Sequence, residues 1–137
     1  MPGVIATDIS VAADPAGNGI ALWLRPGVFV QAAAYDGAGP VLGGLSIPEL
    51  GEPGVPVSFS VSPFDVWSEV VGEATWSFGD GGTATGNQVS HTYAQGSYVV
   101  SVRAADSLAN ETTTSQSILI GRPHHLVCLV PSRGSSE

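Results

Sequence analysis

The chain has 137 residues, 43% of them hydrophobic, and a formal net charge of −8 with only four basic residues. Proteins bind nucleic acids and anionic membranes through a basic surface, so this negative net charge argues against both as partners. Eighteen Gly and ten Pro residues predict short strands joined by many turns. Cys128 is the single cysteine, so an internal disulfide is excluded.

The first residues of the chain show neither a basic region nor a long apolar stretch. We therefore expect no signal peptide and no membrane insertion within this chain. We interpret the chain as a fragment of a longer exported protein, so that a missing signal says little about the parent.

Residues 1–44 are predicted to form a small antiparallel β element. Segments 4–13, 20–24 and 28–34 are strand-like, and turn sequences follow each of them. Two Asp-x-Ala-Gly turns, beginning at Asp14 and Asp36, lie 22 residues apart and hint at a repeated unit. A few strands cannot bury both faces alone, and open edges pair with other chains. We expect this segment either to pack on the rest of the chain or to form a homo-oligomer.

Residues 41–54 are rich in Gly and Pro and are predicted to be a linker that contains the boundary of a second unit, 45–121. The alternative is that Leu45 and Ile47 already begin a strand of that unit. That unit has short strand-like segments without helical periodicity, which favours an all-β sandwich. The predicted strands are residues 55–61, 74–78, 88–93, 96–105 and 112–120.

The most informative motifs of the second unit lie between Trp76 and Tyr98. Trp76 and Phe78 alternate on one face of a strand. Gly79-Asp80-Gly81 then forms a tight turn. His91-Thr-Tyr93 and Gly96-Ser-Tyr98 follow, and another alternating strand begins at Tyr98.

In this order, these motifs resemble those of the PKD domain, an immunoglobulin-like β-sandwich module of bacterial extracellular proteins. The resemblance covers about residues 45–121 and implies that Trp76, Phe78, Tyr93 and their motif neighbours are structural. Residues 1–44 resemble, more weakly, the blade-like β-repeats that precede PKD modules in some large surface proteins. The segment 63–68 departs from the family because it carries bulky apolar residues.

The residues with catalytic chemistry have structural explanations in this sequence. Asp80 between glycines is typical of a turn whose carboxylate accepts backbone N–H groups. His91 lies on a predicted strand inside a structural motif, so we expect it to be packed or hydrogen-bonded. We therefore predict no catalytic residue and no enzymatic activity.

Phe64 and Trp67 are the candidate binding residues, because they lie in an irregular apolar segment between two strands. An exposed aromatic pair could stack on a sugar ring or dock a protein. The alternative is that both rings cap the open end of the sandwich or seal the junction with residues 1–44.

Metal binding is weakly supported by the sequence, and we predict neither a metal site nor another cofactor. His124, His125 and Cys128 match no standard zinc spacing, and residues 122–137 are interpreted as a disordered or non-native tail. Calcium is the alternative, held by Asp65, Glu69, Glu73 and loop carbonyls, since calcium prefers oxygen ligands.

The sequence therefore predicts a non-catalytic extracellular or cell-surface module that acts as a spacer and binds protein or polysaccharide. The alternative is an accessory module of a secreted protease or glycosidase whose catalytic domain lies outside this chain.

Overall fold

The computed structural model describes residues 7–27 and 29–122. These residues form an all-β fold of eleven strands and contain no helix, and so no helix that could cross a membrane. The strands are β1 (Thr7–Ala13), β2 (Gly19–Arg25), β3 (Phe29–Tyr35), β4 (Val41–Ser46), β5 (Leu50–Gly51), β6 (Val57–Phe64), β7 (Val70–Ser77), β8 (Thr83–Thr85), β9 (Gln88–His91), β10 (Gly96–Asp106) and β11 (Glu111–Ile120).

The first three strands form a separate antiparallel sheet in the order β1-β2-β3. Across it, the Trp23 indole N–H donates to Gln31 Oε1 at 2.9 Å. Exposed apolar side chains lie on both faces. Strand alternation and register place Leu22, Leu24 and Val30 on one face, and Val11, Phe29 and Tyr35 on the other. In the described part of the chain, these strands pair only with one another.

The other eight strands form a sandwich of two sheets, ordered β5-β11-β10-β7-β8 and β4-β6-β9. The longest pairing joins β10 and β11 from Gly96↔Ile120 to Ala105↔Glu111. Alternate side chains of both sheets point inward, because strand side chains alternate between faces. The side chains that form the core are Ile47, Val57, Phe59, Val61, Ala74, Trp76, Phe78, Tyr93, Val100, Val102, Ile118 and Ile120.

The prediction of a linker over residues 41–54 was wrong, because this stretch contains β4 and β5. β4 pairs with β6 in the second sheet, and its register shifts between Gly43 and Ser46. Gly44 has a φ of 56° at this irregularity, where glycine is favoured because it lacks Cβ. The glycines that suggested a linker therefore bend a strand.

The other strand predictions differ from the structure mainly at their ends. β6 extends to Phe64, β7 begins at Val70, and β8 was not predicted. β8 is a three-residue edge strand in a polar stretch of small residues, so it lacks the apolar alternation by which a strand is recognised.

Candidate functional site

The aromatic motif residues of the sandwich are in its interior. Trp76 is 2% exposed, and its indole N–H donates to Gly86 O at 2.8 Å. Its ring lies 5.7 Å from that of Phe59, which also contacts Phe78 at 5.4 Å between centroids. The polar atom of the largest core side chain is therefore satisfied, and Trp76 is not available to stack on a ligand.

Two tyrosines continue this aromatic cluster toward the surface. Tyr93 is buried and its hydroxyl donates to Phe78 O at 3.2 Å. Burial raises the pKa of Tyr93 to about 12. The Tyr98 ring lies 4.7 Å from that of Tyr93, and its hydroxyl donates to Ala94 O at 3.1 Å. This arrangement fixes the chain between β9 and β10.

Asp80 and His91 form a pair at one edge of this cluster. Asp80 Oδ2 lies 2.7 Å from His91 Nε2, and Asp80 Oδ1 accepts the Gly82 N–H at 2.9 Å. The hydrogen bond from His91, with that from Gly82, holds the pKa of Asp80 below its usual value of 3.8. The His91 ring stacks on Phe78 at 4.1 Å between centroids.

The turn that carries Asp80 requires glycine at Gly79. Its φ is 84°, and a Cβ there would lie 2.5 Å from Val99 O. Gly81 also has a positive φ, of 93°. Among the described residues, His91 has no hydrogen bond to a hydroxyl or thiol that it could activate. The pair therefore positions a turn.

The end of β6 and the segment that follows it present the candidate binding residues at the surface. Phe64 is 51% exposed and Trp67 is 41% exposed, and Val66 between them is 84% exposed. Asp65 Oδ1 accepts the N–H groups of Trp67 at 2.8 Å and Ser68 at 3.3 Å. This turn holds the backbone of the aromatic segment in one conformation.

Asp65 also belongs to a cluster of three carboxylates. Asp36, in the connection between β3 and β4, and Asp106, at the end of β10, each bring an oxygen within 4.8 Å of the others and of Asp65. Asp36 is 8% exposed and Asp106 is 4% exposed. The expected partners of Asp65, Glu69 and Glu73, are not in this cluster. Its members lie 29 and 41 residues from Asp65, so no local spacing could reveal them.

Two turns with the same hydrogen bonds lie on either side of Asp36. In the first, Asp14 Oδ1 accepts the N–H groups of Ala16 and Asn18, both at 2.9 Å, and Asp14 Oδ2 accepts the Asn18 side-chain N–H at 3.1 Å. In the second, Asp106 makes the corresponding bonds to Leu108 and Asn110 at 2.8, 2.8 and 2.9 Å.

Both turns hold the segment that contains Asp36. Asn18 Oδ1 accepts the N–H groups of Gly37 at 3.1 Å and Ala38 at 3.2 Å. The Asn110 side-chain N–H donates to Asp36 O at 3.3 Å. The first turn belongs to the N-terminal sheet and the second to the sandwich, so this segment is the polar junction between the two.

The junction contains two buried side-chain oxygens that lack a hydrogen-bond partner. Within residues 7–27 and 29–122, the unsatisfied buried side-chain atoms are Asp36 Oδ2 and Ser68 Oγ. Ser68 is near Asp106, but its hydroxyl makes no hydrogen bond of normal geometry with that carboxylate. His124, His125 and Cys128 lie outside the described residues.

A family model described as "PKD domain" matches residues 38–120. The chain belongs to the PKD domain family. The match begins two residues after Asp36, so the PKD domain itself supplies Asp65 and Asp106, and the preceding segment supplies Asp36. A search of curated proteins finds no match to this chain.

Solved PKD domains are similar to this PKD domain. The PKD1 domain of the Vibrio cholerae metalloprotease PrtV is 26% identical, with a TM-score of 0.49, over 61% of this chain and 98% of that one. The PKD1 domain of Vibrio anguillarum Epp is 27% identical, with a TM-score of 0.49, over 61% and 95%. The PKD domain of an M14-like peptidase from a Thermoplasmatales archaeon is 23% identical, with a TM-score of 0.51, over 61% and 97%. The last likeness supports the shared fold.

Proposed function

We propose that this PKD domain is a non-catalytic module of an extracellular or cell-surface protein, where it acts as a spacer and binds protein or polysaccharide. The observation that carries the binding role is the exposed segment Phe64–Trp67. Three of its four side chains, those of Phe64, Val66 and Trp67, are large, apolar and exposed, and a cluster of such side chains indicates a contact surface.

The backbone of this segment supports the proposal. Because the Asp65 carboxylate holds the N–H groups of Trp67 and Ser68, the segment is ordered before a ligand arrives. An aromatic ring on an ordered backbone binds at a lower entropic cost than one on a flexible loop. A flat ring of this kind suits the apolar face of a sugar or an apolar side chain of a protein.

The polar motif residues support the absence of catalysis. Asp80 and His91 satisfy each other and the turn around them, and His91 lies flat against a core phenylalanine. This pair has the geometry of a structural contact, and a nucleophile is missing from its hydrogen bonds among the described residues.

An accessory role in a secreted hydrolase is the second candidate. The sequence of the whole parent separates the two possibilities. A neighbouring protease or glycosidase domain would favour the accessory role, whereas repeated modules with a surface anchor would favour a spacer.

Pull-down on insoluble matrices tests the binding role. Cellulose, chitin and immobilised gelatin serve as probes for the unsubstituted chain and for the variants Phe64→Ala and Trp67→Ala. We expect each variant to lose at least about tenfold in affinity for whichever probe binds, as expected for a central aromatic contact. Phe29→Ala is the matched control, because Phe29 is an exposed aromatic residue of the N-terminal sheet, outside the proposed contact surface.

Two results would contradict the binding role. Equal binding by all three variants would mean that the rings only cover the end of the sandwich. Retention of the chain on none of the probes would leave the spacer role without a contact surface. Unchanged circular dichroism of each variant establishes that it is folded.

A further inference from the structure

β3 is an open edge of the N-terminal sheet. Because the strand order is β1-β2-β3, β2 is paired on both sides and each outer strand has one free edge. In the part of the chain that the structure describes, the backbone of Phe29–Tyr35 makes hydrogen bonds only to β2. Alternate N–H and C=O groups of β3 therefore point away from the sheet without a partner, and a strand edge of this kind pairs readily with another strand.

The two outer strands differ in how their edges are protected. The register of β1 is irregular between Thr7 and Ser10, and Asp8 within this irregularity has a φ of 60°. A bulge and a charged residue are devices that prevent a strand edge from pairing. β3 has neither, because its sequence contains no charged residue and no proline and its register with β2 is continuous. β3 is therefore the edge that is left open for pairing.

The sequence of β3 is complementary to itself when two copies run antiparallel. If Ala32 lies opposite Ala32 of a second copy on a two-fold axis, every residue of the strand is paired. Phe29 of each copy then lies opposite Tyr35 of the other. Both aromatic rings are exposed in the single chain, and strand alternation places them on the same face of the sheet. Two pairs of directly opposed aromatic rings would stabilise this register.

The distribution of charge favours antiparallel over parallel pairing. The chain has a net charge of −8, and most of its acidic residues lie in the PKD domain, residues 38–120. Each chain continues from Tyr35 into its PKD domain. Antiparallel pairing therefore sends the two acidic domains away from opposite ends of the joined sheet. Parallel pairing would start both domains at the same end, where their like charges would repel each other.

We propose that the β3 strands of two copies of this chain pair antiparallel about Ala32 and join the two N-terminal sheets into one continuous six-stranded sheet. One pair of strands buries less surface than the interface of a stable dimer, so we expect a weak dimer with a Kd of about 10 µM to 1 mM. Such a dimer would link two parent molecules and lengthen the proposed spacer. That consequence rests on the spacer role, whereas the pairing itself does not.

Sedimentation velocity of the whole chain, at concentrations that span this range, tests the pairing and its register. Ala32→Lys should raise the Kd about fivefold or more, because two lysines would lie directly opposite each other, and Ala32→Glu should do the same. An equimolar mixture of the two variants should dimerise at least as strongly as the unsubstituted chain, because opposite charges then face each other. Ala12→Lys is the matched control, because Ala12 lies on the same face at the other edge of the sheet, and its Kd should be unchanged.

Amide exchange provides a measurement that needs no substitution. In the unsubstituted chain, the outward N–H groups of β3 should exchange more slowly as the concentration rises through the Kd, whereas those at the free edge of β1 should keep their rates. A monomer over the whole range, a dimer that Ala32→Lys leaves intact, or a mixture of the charged variants that does not dimerise would each overturn the proposal. Slow exchange of β3 at every concentration would also overturn it, because the edge would then be covered from within the chain. Failure of the proposed binding role is seen separately, because the pull-down works at concentrations below this Kd.

Discussion

Asn18 and Asn110 hold opposite polar groups of the same connecting segment. Asn18 Oδ1 accepts two of its N–H groups, and the Asn110 side-chain N–H donates to one of its carbonyls. Each asparagine closes a turn begun by an aspartate four residues earlier. The two units of the chain are thus joined by equivalent turns on either side of the connection.

Replacing either asparagine should weaken this junction. Asn110→Ala removes the side-chain hydrogen bonds to Asp106 Oδ2 and to Asp36 O, and a part-buried group left unpaired costs about 1–3 kcal/mol. We expect a loss of that size in the free energy of unfolding of the PKD domain. Asn18→Ala should instead speed amide exchange at Gly37 and Ala38, with little effect on the PKD domain. Identical effects of both variants on the whole chain would mean that the two units unfold together.

Trp76→Ala should destabilise the PKD domain severely. Truncation of a buried aromatic residue costs about 3–5 kcal/mol through lost burial and the cavity left behind, out of about 5–15 kcal/mol available to a small domain. Trp67→Ala is the control, because Trp67 is half exposed, and its loss should cost much less. Equal denaturation midpoints for the two variants would contradict the packing described.

Asp80 should contribute a stability that disappears in acid. Its pKa is lowered in the folded chain, so its contribution is fully present above about pH 4, its ordinary range, and is lost as the pH falls through the folded pKa. Asp80→Asn should be less stable than the unsubstituted chain at neutral pH, by less than about 1 kcal/mol because the pair is partly solvated. The difference should shrink steadily as the pH falls below the ordinary pKa of an aspartate and through the lowered pKa of Asp80. A constant difference across this range would show that the charge of Asp80 contributes nothing.

Removal of residues 1–34 should leave a folded PKD domain. Among the described residues, the strands of the N-terminal sheet pair only with one another, so the sandwich keeps its own core. We expect an unchanged Tm. If the apolar faces and open edges of that sheet mediate self-association, the whole chain should sediment as an oligomer and the shortened one as a monomer. A shortened chain that aggregates would show that the sandwich needs the sheet.

The sequence predicted the sandwich because its core strands have a strong local signal. Spacing alone assigns the side chains of Trp76 and Phe78 to one face of a strand, and it does the same for the alternating residues from Tyr98 to Val102. The resemblance to PKD domains, confirmed by the family match over residues 38–120, implied the immunoglobulin-like sandwich fold. β4 was predicted only as an alternative strand beginning at Leu45, because Gly43 and Gly44 have low strand propensity. Its full extent is defined by its pairing with β6.

The cluster of three carboxylates was not predicted, for a different reason. Asp36, Asp65 and Asp106 meet only after three distant turns reach the same end of the sandwich, and no periodicity relates them. The Asp-x-Ala-Gly repeat was noticed at Asp14 and Asp36, but the true counterpart of the Asp14 turn is the one at Asp106. In that turn Ala109, with a φ of 67°, takes the place of Gly17, with a φ of 104°, so the likeness is not visible in the sequence.

The close approach of Gly39 to the start of β11 has a mechanical consequence. A Cβ on Gly39 would lie 2.5 Å from the Glu111 carbonyl carbon, so the chain enters the PKD domain beside the first residue of β11. It leaves past Ile120, the last residue of the same strand, about 30 Å away at the usual rise per residue. A tension applied between these two points would run along this strand and load its hydrogen bonds to β10 in shear, so that they would have to break together.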